Sequence, residues 1–190
     1  MKISILCGGK SSRMQSEKGL VLYQNKPFIE HIIEAVLPIS ENIQLITNTN
    51  DYDYLAYKKI KDIIVDKGPL GGIYTALVHS ETEMNLILSC DIPLISTEIL
   101  MELIENHGIN FDVSVFEDTN RIHPLIGIYS KRILPILKEA IDGNELKMMR
   151  FISTVNHQLI PIPNAKRDFF KNINSVTELN ELNTNLSQLK

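Results

Sequence analysis

Cations and hydroxyls crowd residues 2–18 of this chain, which read KISILCGGKSSRMQSEK. A short apolar run (Ile3, Ile5, Leu6) stops at Gly8-Gly9, and a loop follows that carries Lys10, Ser11, Ser12, Arg13 and Lys18. Adjacent glycines let the backbone turn sharply and bring its N–H groups close to an anion with no Cβ in the way. Arg13 and Lys18 can add charge-assisted hydrogen bonds to phosphate oxygens. A lone Gly-Gly pair is usually a tight turn. The cations and hydroxyl donors behind this one make it a phosphate-binding loop. It is neither a Walker A loop, G-x-x-x-x-G-K-S/T, nor the dinucleotide fingerprint G-x-G-x-x-G.

The second chemical group is a carboxylate. Asp91 follows the apolar run Met84 to Ser89 and precedes Pro93. A carboxylate closing a buried strand is costly to leave unpaired. Alone it could cap a turn. Beside a phosphate loop it can hold Mg²⁺, a hard ion that keeps several waters and bridges protein to phosphate. Asp62 and Asp66 compete for a further role. Asp66 closes the run Ile60 to Val65 whereas Asp62 lies inside it, so Asp66 is favoured. His123, before Pro124, and Asn172 and Asn174, flanking Ile173, say little by themselves. Lys147 and Arg150 share a basic helix that could face an anionic substrate.

Strands alternating with helices position these groups. Apolar runs predict strands at residues 3–6, 42–47, 60–65, 84–89, 111–116, 125–129 and 157–162. Helical spacing predicts helices after Pro27, over residues 51–59, from the glycine-rich GPLGGIY segment to Val78, and over 97–106, 133–141 and 146–155. A Ser175 to Glu178 capping pair starts a last helix, and residues 183–190 read as a polar tail. The alternation implies βαβ units and a mainly parallel sheet between two helical layers, a Rossmann-like three-layer α/β sandwich. Ligands of such sheets bind at the carboxyl ends of strands. Gly8, Asn48, Asp66 and Asp91 should therefore line one crevice.

Composition sets the outer bounds. One chain of 190 residues, 44% hydrophobic and 22% charged, is ordinary for a globular protein and reads as one domain. No apolar run approaches the roughly 20 residues of a membrane span. A strand is entered almost at once, which leaves no room for a signal peptide and makes the cytoplasm the expected location. A net charge of -4 argues against a general nucleic-acid binder. Cys7 and Cys90 are the only cysteines, have no zinc-ligand spacing, and are expected to be buried and reduced.

The N-terminal loop resembles L-x-G-G-x-S-x-R-M-x-x-x-K, the signature of sugar-phosphate and cofactor nucleotidyltransferases, with Leu6, Gly8, Gly9, Ser11, Arg13, Met14 and Lys18 at its positions. Cys7 replaces the usual Ala, and Gln15 a common Gly. With NKPFIEHI, TN at 47–48, IIVDKGPLGGIYTAL, SCDIPLI, RIHPLIGIY and NINSVTEL, the chain is similar nearly end to end to the MobA-type molybdenum cofactor guanylyltransferases. That resemblance implies a nucleotide-diphospho-sugar-transferase-like fold, with about residues 1–110 holding nucleotide and 111–190 the pterin. It implies GTP contacts from Leu6, Cys7, Gly8, Gly9, Lys18, Asn48, Asp66 and Asp91, and magnesium on Asp91. Arg13, Lys18 and Asp91 would be catalytic, and Gly72, Asn172 and Asn174 would serve the pterin. The implied substrates are GTP and molybdenum-molybdopterin, with transient contact to cofactor-delivery proteins or apo-enzymes.

The reaction implied is transfer of GMP to the terminal phosphate of the pterin, with loss of pyrophosphate. A cytidylyltransferase acting on molybdopterin or another small phosphate would share the loop and Asp91. A non-catalytic nucleotide-binding module would bind nucleotide without releasing pyrophosphate.

Overall fold

β1 (Lys2–Leu6) runs through the middle of the sheet, and its side chains serve two cores at once. Ile3, Ile5 and Cys7 face one side, where they pack with α1 (Phe28–Val36) and α3 (Thr97–Asn106). Leu6 faces the other, with α2 (Gly68–Val78), α4 (Leu134–Asp142) and α5 (Met148–Thr154). A strand covered on both faces must be apolar throughout, which is why this stretch lacks polar alternation. Its exception is Ser4, fully buried, whose hydroxyl accepts from Gln44 Nε2 at 2.8 Å. The same nitrogen donates to the Ala76 carbonyl of α2 at 3.1 Å.

The computed structural model describes residues 1–8, 17–119, 121–175 and 177–180. The remaining strands are β2 (Leu22–Tyr23), β3 (Lys26–Pro27), β4 (Ile43–Ile46), β5 (Lys58–Ile60), β6 (Met84–Ser89), β7 (Val113–Asp118), β8 (Arg121–Ser130) and β9 (His157–Pro161). β2 and β3 form a small hairpin turning on Gln24 and Asn25, both with positive φ, as a two-residue primed turn requires. Among the described residues the other strands make one seven-stranded sheet in the order β5-β4-β1-β6-β8-β7-β9. All are parallel except β8, which runs antiparallel to both its neighbours. The fold is the expected α/β sandwich with helices on both faces of a mainly parallel, mixed sheet. The sheet is continuous from residues of the first 110 positions into those beyond. No helix among the described residues is long and apolar enough to cross a membrane.

Two expectations fail in one place. The helix predicted over residues 51–59 is a run of turns, and the strand predicted over 60–65 is the three-residue β5, Lys58–Ile60, displaced toward the N-terminus. The cause is side-chain capture of backbone N–H groups by short polar residues. Thr47 takes the Thr49 N–H, Thr49 takes that of Asp51, and Asn48 takes that of Asp62 at 2.9 Å. Thr75 on α2 accepts the Ile63 N–H at 3.0 Å, which draws that residue off the ladder. Elsewhere the bounds move less: β8 begins at Arg121 rather than Leu125, so His123 lies within a strand.

The turn that carries Lys18 is held by a close approach. Residues Lys18–Leu20 form one 3-10 turn, and Tyr52, fully buried, lies against Gly19. A Cβ added at Gly19 would sit 2.7 Å from the Tyr52 hydroxyl and 3.3 Å from Cys90 Cβ. Gly19→Ala should therefore cost about 1–3 kcal/mol through overpacking. In a Tyr52→Phe background the same change should cost measurably less. Denaturant unfolding of the four proteins checks this, and an equal cost in both backgrounds would place the clash elsewhere.

Candidate active site

The chain leaves β1 toward β4 and β5 on one side, then crosses through α2 to β6 on the other. The switch in direction opens a crevice beyond the carboxyl ends of β1 and β6. A cleft of about 610 Å³ lies there, lined among others by Leu6, Cys7 and Gly8 after β1, Asn48 after β4, and Ser89 at the end of β6. Asp62, Asp66, Gly68, Pro69 and Gly72 complete the wall under the N-terminus of α2. Its size is that of a small-molecule pocket, which runs from about 300 to 1,000 Å³. α2 has no side-chain cap, and Pro69 lies in its first turn. Its first N–H groups and its partial positive charge are thus left for an anionic ligand. Asp66 and Gly68 both hold positive φ, 59° and 56°, and this double twist turns the chain into the helix.

Where β6 ends, a carboxylate is buried and held from three directions. Asp91 is 6% exposed. Its Oδ1 accepts from Ser89 Oγ at 2.6 Å and from Asn172 Nδ2 at 2.7 Å. Its Oδ2 accepts from Lys18 Nζ at 3.1 Å. Lys18 Nζ also donates to Asn174 Oδ1 at 2.5 Å. The main chain of Asp91 joins in, since its carbonyl accepts the Ile173 N–H at 2.9 Å. Asn172 and Asn174 project together from an extended segment, and Ile173 between them is buried with Tyr23 and Phe28.

The donor set decides what the site can hold. Both lone-pair positions of Asp91 Oδ1 are taken, whereas Oδ2 has one donor and room for another partner. A single carboxylate oxygen next to Ser89 of the cleft wall suits Mg²⁺, which draws its other ligands from water and phosphate. Among the described residues no cluster of three or more His, Cys, Asp or Glu could form a protein-only metal cage. Residues and ion therefore fit as a site completed by substrate.

The residues singled out in the sequence fall into three groups. Leu6, Cys7, Gly8, Asn48, Asp66 and Gly72 line the cleft. Lys18, Asp91, Asn172 and Asn174 do not line the cleft; they form a polar cluster joined to its wall through Ser89. Gly9 and Arg13 lie outside the described residues. Lys147 stands at the N-cap of α5 and Arg150 pairs with Glu145 at 2.6 Å, and neither lines the cleft. Burial pushes the Cys7 thiol well above its ordinary pKa, and the neighbouring Cys90 adds to the rise. Both cysteines are free and buried, and in that state poor nucleophiles.

Three residues gain weight that their sequence context did not give them. β5 ends at Ile60, so Asp62, just beyond Lys61, is nearer a strand end than Asp66 is. Its Oδ2 accepts from Asn48 Nδ2 at 2.8 Å, and its Oδ1 is buried with no partner among the described residues. Ser89, the last residue of β6, donates from Oγ to the Asp91 carboxylate at 2.6 Å. Arg121 donates from Nη2 to Asn172 Oδ1 at 3.1 Å. His123 is buried against Phe170, ring centroids 5.2 Å apart, and burial lowers its pKa with the nearby Arg121 charge adding to the effect.

Comparison with known proteins agrees with this geometry. Residues 3–159 match the family described as the MobA-like NTP transferase domain. A probable molybdenum cofactor guanylyltransferase of Flavobacterium johnsoniae is 65% identical over 183 residues, which cover 96% of each chain. A molybdenum cofactor guanylyltransferase of Vibrio vulnificus is 30% identical over 180 residues, 93% of this chain and 92% of that one. The solved structure of molybdopterin-guanine dinucleotide biosynthesis protein A from Archaeoglobus fulgidus superposes with a TM-score of 0.83 at 22% identity, over 99% of this chain and 100% of that one, which shows a shared fold. With a family match over most of its length and relatives aligned nearly end to end, this chain belongs to the MobA-like NTP transferase family.

Proposed function

We infer that this protein is a molybdenum cofactor guanylyltransferase, which transfers GMP from GTP to the terminal phosphate of molybdenum-molybdopterin and releases pyrophosphate. Its family and its relatives support the reaction class. The observation that carries the reading is the convergence of Lys18, Asp91, Asn172 and Asn174, from three remote segments, on Ser89 in the wall of a nucleotide-sized cleft. In the reaction an oxygen of the pterin phosphate attacks the α-phosphorus of GTP. A new P–O bond forms as the bond to the β-phosphate oxygen breaks, and the electron pair leaves with pyrophosphate. The attacking group is already anionic, so no protein nucleophile is needed.

The chain's part is to place two anions against each other and to neutralise the charge that moves. Residues up to about 110 hold the nucleotide: the N–H groups after β1 and at the start of α2 meet its phosphates, and the wall around Asn48 receives the base. Guanine offers two donor groups on its pairing edge, N1–H and N2–H₂, whereas cytosine offers one. The carboxylates of Asp62 and Asp66 on that wall suit the guanine pattern. Lys18, steadied by Asp91 and Asn174, brings its charge to the side where pyrophosphate departs. Gly9 and Arg13 complete the phosphate loop. Asn172 and Asn174, from the half of the chain beyond about residue 110, face the pterin, and Gly72 of α2 joins them from the nucleotide half. Mg²⁺ on Asp91 supplies Lewis-acid stabilisation of the phosphates when it is bound. The finished dinucleotide passes to a delivery protein or an apo-enzyme.

Equilibrium binding of GTP, CTP, ATP and UTP, each with and without Mg²⁺, tests the assignment by calorimetry. A magnesium-dependent preference for GTP is expected; preference for CTP overturns the choice of base, and no nucleotide binding overturns the site. Asp91→Asn keeps the shape of the side chain but removes its charge. It should lower turnover about a hundredfold and also lower the melting temperature, because Lys18 loses its buried partner, while circular dichroism at the assay temperature shows the protein still folded. Near-normal turnover at ordinary magnesium would remove Asp91 from the mechanism. Lys18→Ala should lose about 2.7–4 kcal/mol of transition-state stabilisation, by analogy with a lost oxyanion donor. Steady-state kinetics would show that loss in kcat, and a loss confined to KM would assign Lys18 to ground-state binding alone.

A further inference from the structure

Arg121 stands at the start of β8, on the same strand as Leu125 of the cleft wall, and its side chain is exposed. The residue opposite it across the hairpin is Asp118, whose carboxylate is occupied by Arg167 at 2.8 Å. Arg121 is turned instead toward Asn172.

A primary amide has two nearly equal ends, and only its partners decide which way round it sits. Asn172 must point its Nδ2 at the Asp91 carboxylate, 2.7 Å away. Its Oδ1 then faces outward and meets the Arg121 guanidinium at 3.1 Å. Flipping the amide would set oxygen against carboxylate and N–H against guanidinium. Arg121 and Asp91 therefore define the amide from opposite ends. With Ser89 on the other lone pair of Oδ1, this leaves Oδ2 as the oxygen free to turn toward Lys18 or a cation. A second, smaller cavity of about 110 Å³, lined by Arg121, His123, Leu125 and Asn172, keeps the rest of the guanidinium beside the site. Leu125 also lines the main cleft.

We propose that Arg121 is a positioning residue for nucleotidyl transfer: it fixes the orientation of Asn172 and, through Asn172, the carboxylate of Asp91. This rests on the guanylyltransferase reading above. Partners one step removed from a metal ligand typically change metal affinity or activity by about 10–100-fold when lost. The test is a double-mutant cycle with Arg121→Ala, Asn172→Ala and the pair, read by kcat and by the magnesium concentration needed for half-maximal GTP binding in calorimetry.

Arg121→Ala is expected to lower kcat about tenfold, leave the KM for GTP within twofold, and raise the magnesium requirement several-fold. Arg121→Lys, which keeps one donor, should recover part of the loss. In the Asn172→Ala background, removing Arg121 should add less than a twofold effect, because the group it acts through is gone. Losses that multiply across the cycle, or an Arg121→Ala protein with wild-type kcat and magnesium dependence, overturn the proposal. If the wild-type chain itself forms no product with GTP, the guanylyltransferase reading fails and this one falls with it. An active wild type with multiplying losses overturns this proposal alone.

Discussion

A nearly buried carboxylate is the constraint around which this site is built. An ionised group taken out of water needs partners of matching geometry, or burial becomes prohibitive. Asp91 finds them in Ser89 at the end of the preceding strand, in Lys18 on the 3-10 turn Lys18–Leu20, and in Asn172 on the segment after the last strand. Each of these partners lies on a different part of the chain, and each is in turn fixed by packing. Gly19 and Tyr52 seat the turn behind Lys18, and Ile173 anchors the asparagine segment among Tyr23 and Phe28. One charge thereby sets the relative positions of three elements. The same satisfaction leaves a single oxygen open, which is what a substrate-completed magnesium site needs.

The sheet explains why these groups meet where they do. β1 and β6 are paired parallel neighbours, so Leu6 lies opposite Ser89 and the residues that follow both strands emerge side by side. The reversal of strand order at this point leaves no connection crossing above them, and the space becomes the cleft. Placing antiparallel β8 next to β6 brings its residues Arg121 to Leu125 to the same edge. The strands before and after residue 110 thus share one sheet, and their ends meet at one edge without a hinge between separate sheets.

Much of this could be read before any coordinates were known, and the reasons are local. The apolar run ending at Asp91 is continuous because β6 is covered on both faces, and helix α3, Thr97–Asn106, has the bounds its periodicity predicts. The glycine-proline break at 68–69 marks the start of α2 for the same kind of reason. What failed was also physical. Between residues 47 and 62 short polar side chains take backbone N–H groups that a helix would have used, and helical spacing cannot register that competition. Moving β5 toward the N-terminus leaves Asp62 nearer a strand end than Asp66. Arg121 and Ser89 open the RIHPLIGIY and SCDIPLI segments, but spacing gave neither a role, because their importance comes from Asn172 and Asp91, and the first of those contacts spans 51 residues.

The last described stretch has a consequence for how the molecule comes into being. Chains emerge from the ribosome N-terminus first, and domains fold as units as they appear. β1, β4, β5 and β6 are all complete by residue 89, whereas Asn172, which donates to Asp91, follows that residue by 81 positions. Until it and Asn174 arrive, Asp91 has among the described residues only Ser89 and Lys18 as donors, and Lys18 has only Asp91 as acceptor. A product ended by a stop codon before Asn172 would keep the parallel strands β1, β4, β5 and β6 but hold its buried carboxylate by two side chains in place of three.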